Sequence, residues 1–203
     1  MSQSVNILIA TFNKNKVKEI AQIAKESGFD TGFLYLKDFP NIKEALEDGS
    51  TLKENAVKKA KSYYAQTGII TLSEDSGLSV DALGGEPGVY SSRFSGEDKN
   101  DRKNNLKLLH ILEGVEERQA RFICVAALAL SKERIETFEG VLEGEVSNQM
   151  KGGFGFGYDP VFIPAGYDKT LAELGLEVKN SISHRKQAIQ QALAYFINTD
   201  QHR

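Results

Sequence analysis

The spacing of hydrophobic and polar residues in the first part of the chain predicts a strand, a helix and a second strand. An apolar run at residues 5–10 predicts the first strand. Apolar residues then recur at helical spacing, which predicts a helix from about Asn13 to Gly28. The mixed residues 33–48 predict a strand followed by an irregular acidic segment.

A second helix and a buried strand are predicted next. Residues 51–54 have the Thr-x-x-Glu pattern of a capping box, and the helical face that follows continues to about Gly68. The apolar run 69–72 predicts a buried strand that stops at the adjacent acids Glu74 and Asp75. In an α/β protein, the carboxyl end of a strand is where ligands bind.

The second half of the chain predicts a further helix, a pair of long strands and a C-terminal helix. The helix is expected after Asp98, with Leu106, Leu109 and Leu112 towards a core, and to end at Gly114.

Alternating residues predict a half-buried strand over 118–130, an antiparallel partner over 135–146 and a short strand over 161–163. The last helix is expected to begin near Ser183. Its predicted core residues are Ala188, Ile189, Ala192, Leu193 and Phe196. The order of elements predicts a mixed α/β fold, and we expect a single domain over residues 1–203.

Composition narrows the class of protein. The 203 residues are 40% hydrophobic and 26% charged, enough for a substantial core. The net charge of −3 argues against nucleic acid as a partner, although a small anionic ligand fits. Cys124 is the one cysteine, so we expect neither a disulfide nor a cysteine metal site. The longest apolar runs are too short for a membrane span and the first residues are polar, so we expect a cytoplasmic protein.

Cations at two predicted helix starts suggest an anionic ligand. Lys14 and Lys16 lie in the first turn of the first helix, and His184 and Arg185 begin the last one. Positive charges there oppose the helix dipole, so a negative group is expected beside them. The alternative is a basic turn in water.

Acidic residues Glu47, Glu74 and Asp75 suggest a divalent cation. Carboxylates repel a polyphosphate unless a cation lies between them, and hard oxygen ligands with water and phosphate oxygens describe Mg²⁺. The alternative is a solvated acidic turn. The glycine-rich run 152–158 carries Phe154, Phe156 and Tyr158, on which a planar base could stack, although such runs also form tight core turns.

Several segments together resemble one family. They are Ala10 to Lys16 with Glu19, Glu47 to Ala56 with Lys59, Ser73 to Leu78, Leu83 to Arg93, Phe156 to Pro160, and Lys179 with Ser183 to Arg185. These segments are similar, in order and over most of the chain, to the motifs of the inosine/xanthosine triphosphate pyrophosphatases, which remove non-canonical purine nucleotides from the cellular pool.

The resemblance implies an elongated, two-lobed mixed sheet flanked by helices, with the active site in the cleft between the lobes, and a homodimer. It implies hydrolysis of non-canonical purine triphosphates (ITP, dITP, XTP) to monophosphate and pyrophosphate, with Mg²⁺ as cofactor. Asp75 would be the catalytic base and, with Glu47, a metal ligand. The residues that would bind phosphate are Thr11, Asn13, Lys16, Lys59 and Ser76. Those that would line the base pocket are Phe156, Gly157, Tyr158, Asp159, Lys179, His184 and Arg185.

Two departures from the family pattern bear on the metal site. The family usually has two aspartates where this chain has Glu74 and Asp75, and often two acids where it has Leu46 and Glu47.

A guanidinium donates and never accepts, so Arg185 would favour a 6-keto purine over adenine. The rival hypotheses are a non-catalytic nucleotide-binding or sensing protein and a different phosphate-ester hydrolase, such as a phosphomonoesterase.

Overall fold

The computed structural model describes residues 6–29 and 32–200, so the first residue of the first predicted strand, Val5, lies outside the described residues. The strands are β1 (Ile7–Ile9), β2 (Phe33–Tyr35), β3 (Thr71–Val80), β4 (Gln119–Ala129), β5 (Ile135–Val146) and β6 (Phe162–Pro164). The helices are α1 (Lys14–Glu26), α2 (Leu52–Thr67), α3 (Asp101–Ile111), α4 (Leu171–Ile182) and α5 (His184–Asp200).

The strands form a six-stranded sheet in the order β2-β1-β3-β4-β5-β6. Strand β1 pairs in parallel with β2 and β3, whereas β5 and β6 are antiparallel. The predicted mixed α/β fold is therefore confirmed. Strand β1 ends where Ile9 pairs with Leu72 near the start of β3, so the residues after β1 lie close to Glu74 and Asp75.

The capping residues in the sequence predicted the positions of α1 and α2 correctly. Asn13 caps α1, because its Oδ1 accepts from the backbone N–H groups of Asn15 and Lys16. Thr51 caps α2, and Gly68 ends that helix in the left-handed conformation at φ +69°. The predicted capping box is shifted, since the carboxylate of Glu54 accepts from the N–H of Ser50.

Strand β3 is longer than predicted, and this corrects the expectation that it stops at the two acids. It continues to Val80, so Glu74 and Asp75 lie inside a strand and are buried. The strand continues because it pairs with β4, and because Lys16 and Lys59 balance the two carboxylates. The sequence does not show the partners of these two acids, so they were interpreted as polar residues that end a strand.

The buried face of α3 also differs from the prediction. Leu112 is fully buried and Leu109 packs against the same core, as predicted, but Leu106 is half exposed and Leu108 is fully buried instead. The face continues through Asn104 and Asn105, which are buried because their amides are hydrogen-bonded to loop carbonyls. A rule that counts only apolar residues therefore misplaces Leu106 and misses the buried amides.

Helix α4 was not predicted. Thr170 begins it with a complete capping box, in which Thr170 and Glu173 accept from each other's backbone N–H groups. Gly175 interrupts it at φ +84°, which hides the helical period in the sequence. Helix α5 begins at His184, as predicted, and its five predicted core residues are all buried.

The chain divides into two compact units, each made of separate segments. Among the described residues, the first contains 6–29, 32–75, 124–140 and 185–200, and the second contains 76–123 and 141–184. In the first unit, Ile7 and Ile9 belong to one hydrophobic cluster and Leu8 to another, so β1 is buried on both faces. The second unit has its own core around Leu108 and Phe162. A single domain over residues 1–203 stays a prediction.

Across the residues that the structure describes, no helix has both the length and the apolar character needed to cross a membrane.

Candidate active site

Lys59 lies between two carboxylates in the first unit. Its Nζ is 3.3 Å from Oδ1 of Asp75 and 3.0 Å from Oε2 of Glu47. Lys59 is on α2, Asp75 on β3, and Glu47 in the irregular segment before α2. The Lys59 and Asp75 side chains are about nine-tenths buried, whereas that of Glu47 is 41% exposed. The sequence predicted all three as site residues, and the fold brings them together.

Burial shifts the acid–base properties of this group. It raises the pKa of Asp75, and the nearby carboxylates of Glu74 and Glu47 act in the same direction against the two lysines. For Lys59, burial alone would lower the pKa, but the three carboxylates outweigh it and the pKa is raised. Lys59 is therefore a cation at neutral pH, and Asp75 is a better proton acceptor than an ordinary aspartate.

Lys16 has a protein partner that explains its place at a helix start. Its Nζ is 2.7 Å from Oε1 of Glu74, whose side chain is fully buried. The negative group predicted beside the first turn of α1 therefore includes a carboxylate of the chain itself. Burial would raise the pKa of Glu74, but Lys16, Arg185 and Lys59 outweigh it and hold that pKa well below its usual range.

Arg185 is likewise paired inside the protein. Its Nη1 donates to Glu19, and its Nη2 is 3.7 Å from Oε2 of Glu74. The thiol of Cys124 donates to the same Glu74 oxygen at 3.4 Å. Burial would lower the pKa of Arg185, but Glu74 and Glu19 raise it, so the guanidinium stays charged. Two carboxylates thus explain the cation at the start of α5, and its role in base recognition stays a prediction.

The carboxylates of Glu47 and Asp75 are suited to binding Mg²⁺. Glu47 and Asp75 converge on a single Lys59 ammonium, so both point at one place where a cation is favourable. Together with Lys16, Arg185, Glu19 and Glu74, this group has three cations against four carboxylates, a net charge of −1. In the described part of the chain, no group of three or more potential metal ligands occurs. Mg²⁺ usually keeps several waters and takes one or two protein carboxylates plus phosphate oxygens, which these residues fit.

Polar residues after β1 and on β3 complete the predicted phosphate-binding set. Oγ1 of Thr11 accepts from the N–H of Asn13 at 3.2 Å, which shapes the turn into α1. Because Oδ1 of Asn13 is used in capping, its Nδ2 is the group that can donate to a phosphate. Ser76 follows Asp75 directly on β3 and is partly exposed.

In the second unit, Phe156 lies above a buried ion pair. Nζ of Lys179 is 2.6 Å from Oδ2 of Asp159, and both side chains are almost fully buried. The same ammonium is 4.1 Å from the centre of the Phe156 ring, a cation–π contact. Oδ2 of Asp159 also accepts from the N–H of Phe156 at 2.8 Å. Gly155 is required here, since a Cβ would lie 2.0 Å from that carboxylate oxygen.

Other predicted base-pocket residues have defined surroundings in the same unit. His184 is buried and its ring stacks on Phe122, with centroids 4.8 Å apart. The Tyr158 hydroxyl donates to the carbonyl of Ser91 at 2.8 Å, and burial raises its pKa. Phe154 is mostly exposed.

Four residues that belong to these arrangements were missed as site residues. Glu19 had a signal, because it lies inside the first matched motif. Cys124 was considered only as the one cysteine of the chain, for which neither a disulfide nor a cysteine metal site was expected. Asp101 and Asn105 of α3 contact Gly157, and no local pattern indicates contacts 56 and 52 residues away.

Comparison with known proteins gives one consistent result. The profile of the Ham1 family matches residues 7–195. A dITP/XTP pyrophosphatase of Desulforamulus reducens is 49% identical over 93% of this chain and 94% of its own. One of Bacillus subtilis is 44% identical over 90% and 92%. The structure of the Staphylococcus aureus Ham1 protein superimposes with a TM-score of 0.86 at 36% identity, over 96% of this chain and 99% of that one. The chain belongs to the Ham1 family.

Proposed function

We propose that this protein is a nucleoside-triphosphate pyrophosphatase that hydrolyses ITP, dITP and XTP to the monophosphate and pyrophosphate. The observation that carries the proposal is the contact of Lys59 with both the buried Asp75 and the exposed Glu47, which combines a base with a cation for phosphate. The relatives of 44% to 49% identity named dITP/XTP pyrophosphatases support the same activity.

Asp75 acts as the base. A water attacks the α-phosphorus, its oxygen forms the new P–O bond, and its proton passes to the Asp75 carboxylate. The bond from the α-phosphorus to the α–β bridging oxygen breaks, and pyrophosphate leaves with that electron pair. A carboxylate within hydrogen-bond reach of this water is sufficient for general-base catalysis. A covalent nucleophile is not needed.

Glu47 and Asp75 would hold Mg²⁺. When bound, the ion supplies the positive charge that a polyphosphate needs beside four carboxylates. Lys16 and Lys59 supply the rest of the charge, and Thr11, Asn13 and Ser76 donate hydrogen bonds to phosphate oxygens. Because each lysine already pairs with a carboxylate, it is positioned before the substrate arrives, which lowers the entropy lost on binding.

The base pocket is assigned to Phe156, on which the purine stacks, with Gly157, Tyr158, Asp159, Lys179 and His184 around it. Arg185 would donate to the 6-keto oxygen, where adenine presents an amino group and leaves the donor unpaired. This preference would separate non-canonical purines from ATP.

A pyrophosphate-release assay tests the function. The protein is incubated with Mg²⁺ and a panel of ITP, dITP, XTP, ATP and GTP, and both pyrophosphate and orthophosphate are measured. Pyrophosphate from the first three supports the proposal. Orthophosphate as the first product indicates a different phosphate-ester hydrolase, and tight binding without product indicates a nucleotide-binding protein. Membership of the Ham1 family gives no support to either of these two alternatives.

We also infer a homodimer in the cytoplasm. The resemblance supports the dimer, and the reduced Cys124 and the nucleotide substrates suit that compartment. Light scattering coupled to gel filtration tests the oligomeric state.

A further inference from the structure

Helix α3 holds the loop that carries Phe156, through two side chains outside the predicted site. Oδ2 of Asp101 accepts from the N–H of Gly157 at 2.7 Å. Nδ2 of Asn105 donates to the carbonyl of Gly157 at 2.8 Å. The two residues are four apart on α3, so they lie on one face of the helix. Both polar groups of Gly157 are therefore bound by the same helix.

The contacts of Asp159 and Asp101 fix the peptide planes on either side of the Phe156 Cα, and that of Asn105 holds the next plane, after Gly157. The N–H of Phe156 donates to Asp159, so the peptide plane before its Cα is fixed. The N–H of Gly157 donates to Asp101, so the peptide plane after that Cα is fixed as well. With both planes held, the direction of the Phe156 Cα–Cβ bond is set, and Lys179 beneath the ring restricts its rotation.

Asn105 holds this loop but leaves one of its own buried polar atoms without a hydrogen bond. Its side chain is 1% exposed, and its Oδ1 has no hydrogen-bond partner among the described residues. The amide cannot be turned around, because its Nδ2 faces two acceptors, the carbonyls of Gly157 and Asp101. An apolar residue would avoid burying an unpaired acceptor. The contribution of Asn105 must therefore come from its two donated hydrogen bonds.

We propose that Asp101 and Asn105 are positioning residues that determine base selectivity by fixing the orientation of Phe156. Neither touches the substrate in this account. The inference rests on the proposed function, because it assigns Phe156 as the surface on which the purine stacks. Displacing the ring would weaken binding of the base and leave the phosphate-directed groups in place.

The decisive variants are Asn105→Ala, Asp101→Ala and Asp101→Asn. Asparagine at 101 keeps an oxygen that can accept from Gly157, whereas alanine does not. Asn104→Ala is the matched control, since Asn104 is also buried on α3 but its amide binds Ser91, Ser92 and Ser95. It removes an equivalent amide without touching Gly157.

Steady-state kinetics with dITP and ATP, and thermal unfolding, are measured for each variant. We expect Asn105→Ala and Asp101→Ala to raise KM for dITP about tenfold, as expected for loss of a positioning hydrogen bond. The kcat at saturation should change less than about threefold. The ratio of kcat/KM for dITP over ATP should fall, while Asp101→Asn and Asn104→Ala stay close to the wild type.

Equal effects of Asn104→Ala and Asn105→Ala on KM would overturn the inference, as would Asp101→Asn behaving like Asp101→Ala. If Asn105→Ala does not fold, the two Asp101 variants decide. If the wild type releases no pyrophosphate from dITP, the proposed function fails, and binding of inosine monophosphate by calorimetry then tests the positioning role in the same variants.

Discussion

The proposed hydrolysis depends on Asp75, which is buried and lies near the ammonium groups of Lys59 and Lys16. Asp75→Asn keeps the size of the side chain and removes its ability to take a proton. We expect turnover of dITP to fall at least about a hundredfold, the usual scale for loss of a general base. The measurement is pyrophosphate release with Mg²⁺ at saturation.

Asp81→Asn is the matched control for Asp75. Asp81 follows the same strand, is exposed, and pairs with Arg121 at the surface, so its variant should retain wild-type turnover. Near-normal activity in Asp75→Asn would show that another group accepts the proton.

Lys59 is expected to act on phosphate and not on the base. Lys59→Ala leaves the carboxylates of Asp75 and Glu47 without the cation between them. It should lower kcat/KM for dITP and ATP by similar factors, because both carry the same triphosphate. Lys58→Ala is the control, since Lys58 forms an exposed ion pair with Asp48 and such pairs contribute little. A large change in the ratio of the two substrates would assign Lys59 to the base instead.

Arg185 is expected to have a structural role as well as its proposed recognition role. Arg185→Ala leaves Glu19 and the buried Glu74 facing each other without their shared cation. We expect the free energy of unfolding to fall by about 3–5 kcal/mol, as for one partner removed from a buried ion pair. Urea unfolding measures this, with Lys186→Ala as the neighbouring surface control.

The same Arg185 variant tests base recognition. In the folded fraction, the ratio of kcat/KM for dITP over ATP should fall towards one. An unchanged ratio together with lost stability would make Arg185 a purely structural residue.

At the scale of elements, the part of β3 that follows the buried acids makes a close backbone contact within the second unit. Gly77 lies so near the segment 88–91 that a Cβ would be 2.2 Å from the carbonyl oxygen of Gly88. The N–H of Leu78 donates to the Ser91 hydroxyl at 2.9 Å, which holds this approach. Close packing against this segment therefore explains why a glycine occupies position 77 of the matched motif.

Gly77→Ala should be destabilising, because backbone atoms must move to admit the methyl group. Overpacking of this kind costs about 1–3 kcal/mol. Chemical denaturation compares it with Gly153→Ala, where an added Cβ meets nothing within 4 Å. Equal stability of the two variants would contradict the packing described for β3.

At the scale of the whole molecule, the buried carboxylate of Glu74 couples folding to pH. Its pKa is held below the ordinary value of 4.5, so the unfolded chain binds a proton more readily than the folded one. Its contribution to stability is complete above that ordinary value and is lost as the pH falls through the lower folded pKa. Asp75, with a raised pKa, acts in the opposite direction.

Replacement of Glu74 isolates this effect. Glu74→Gln should unfold more easily at neutral pH, and its free energy of unfolding should decline less steeply than that of the wild type as the pH falls below about 4.5. Urea unfolding across that range measures both. Parallel pH profiles for the two proteins would show that Glu74 does not titrate differently in the folded state.

The sequence by itself determined the features that depend on residues a few positions apart. Asn13, Thr51 and Gly68 locate helix ends because capping acts within about four residues. The helical spacing in α5 identified core positions for the same reason. The alternation in β4 identified only one of its two buried faces, because Val125 and Ala127 on the opposite face are buried as well. The motif segments carried the family membership, since their order along the chain needs no structure.

Only the tertiary structure decided which charges meet. Glu19 and Arg185 are 166 residues apart, and Lys16 meets Glu74 across the parallel pair of β1 and β3. Without these partners, the acids of β3 looked like a strand end and the cations of α1 and α5 looked like ligand-binding groups alone. The physical reason is that burial makes each charge depend on its nearest opposite charge, and the fold brings that charge from elsewhere in the chain.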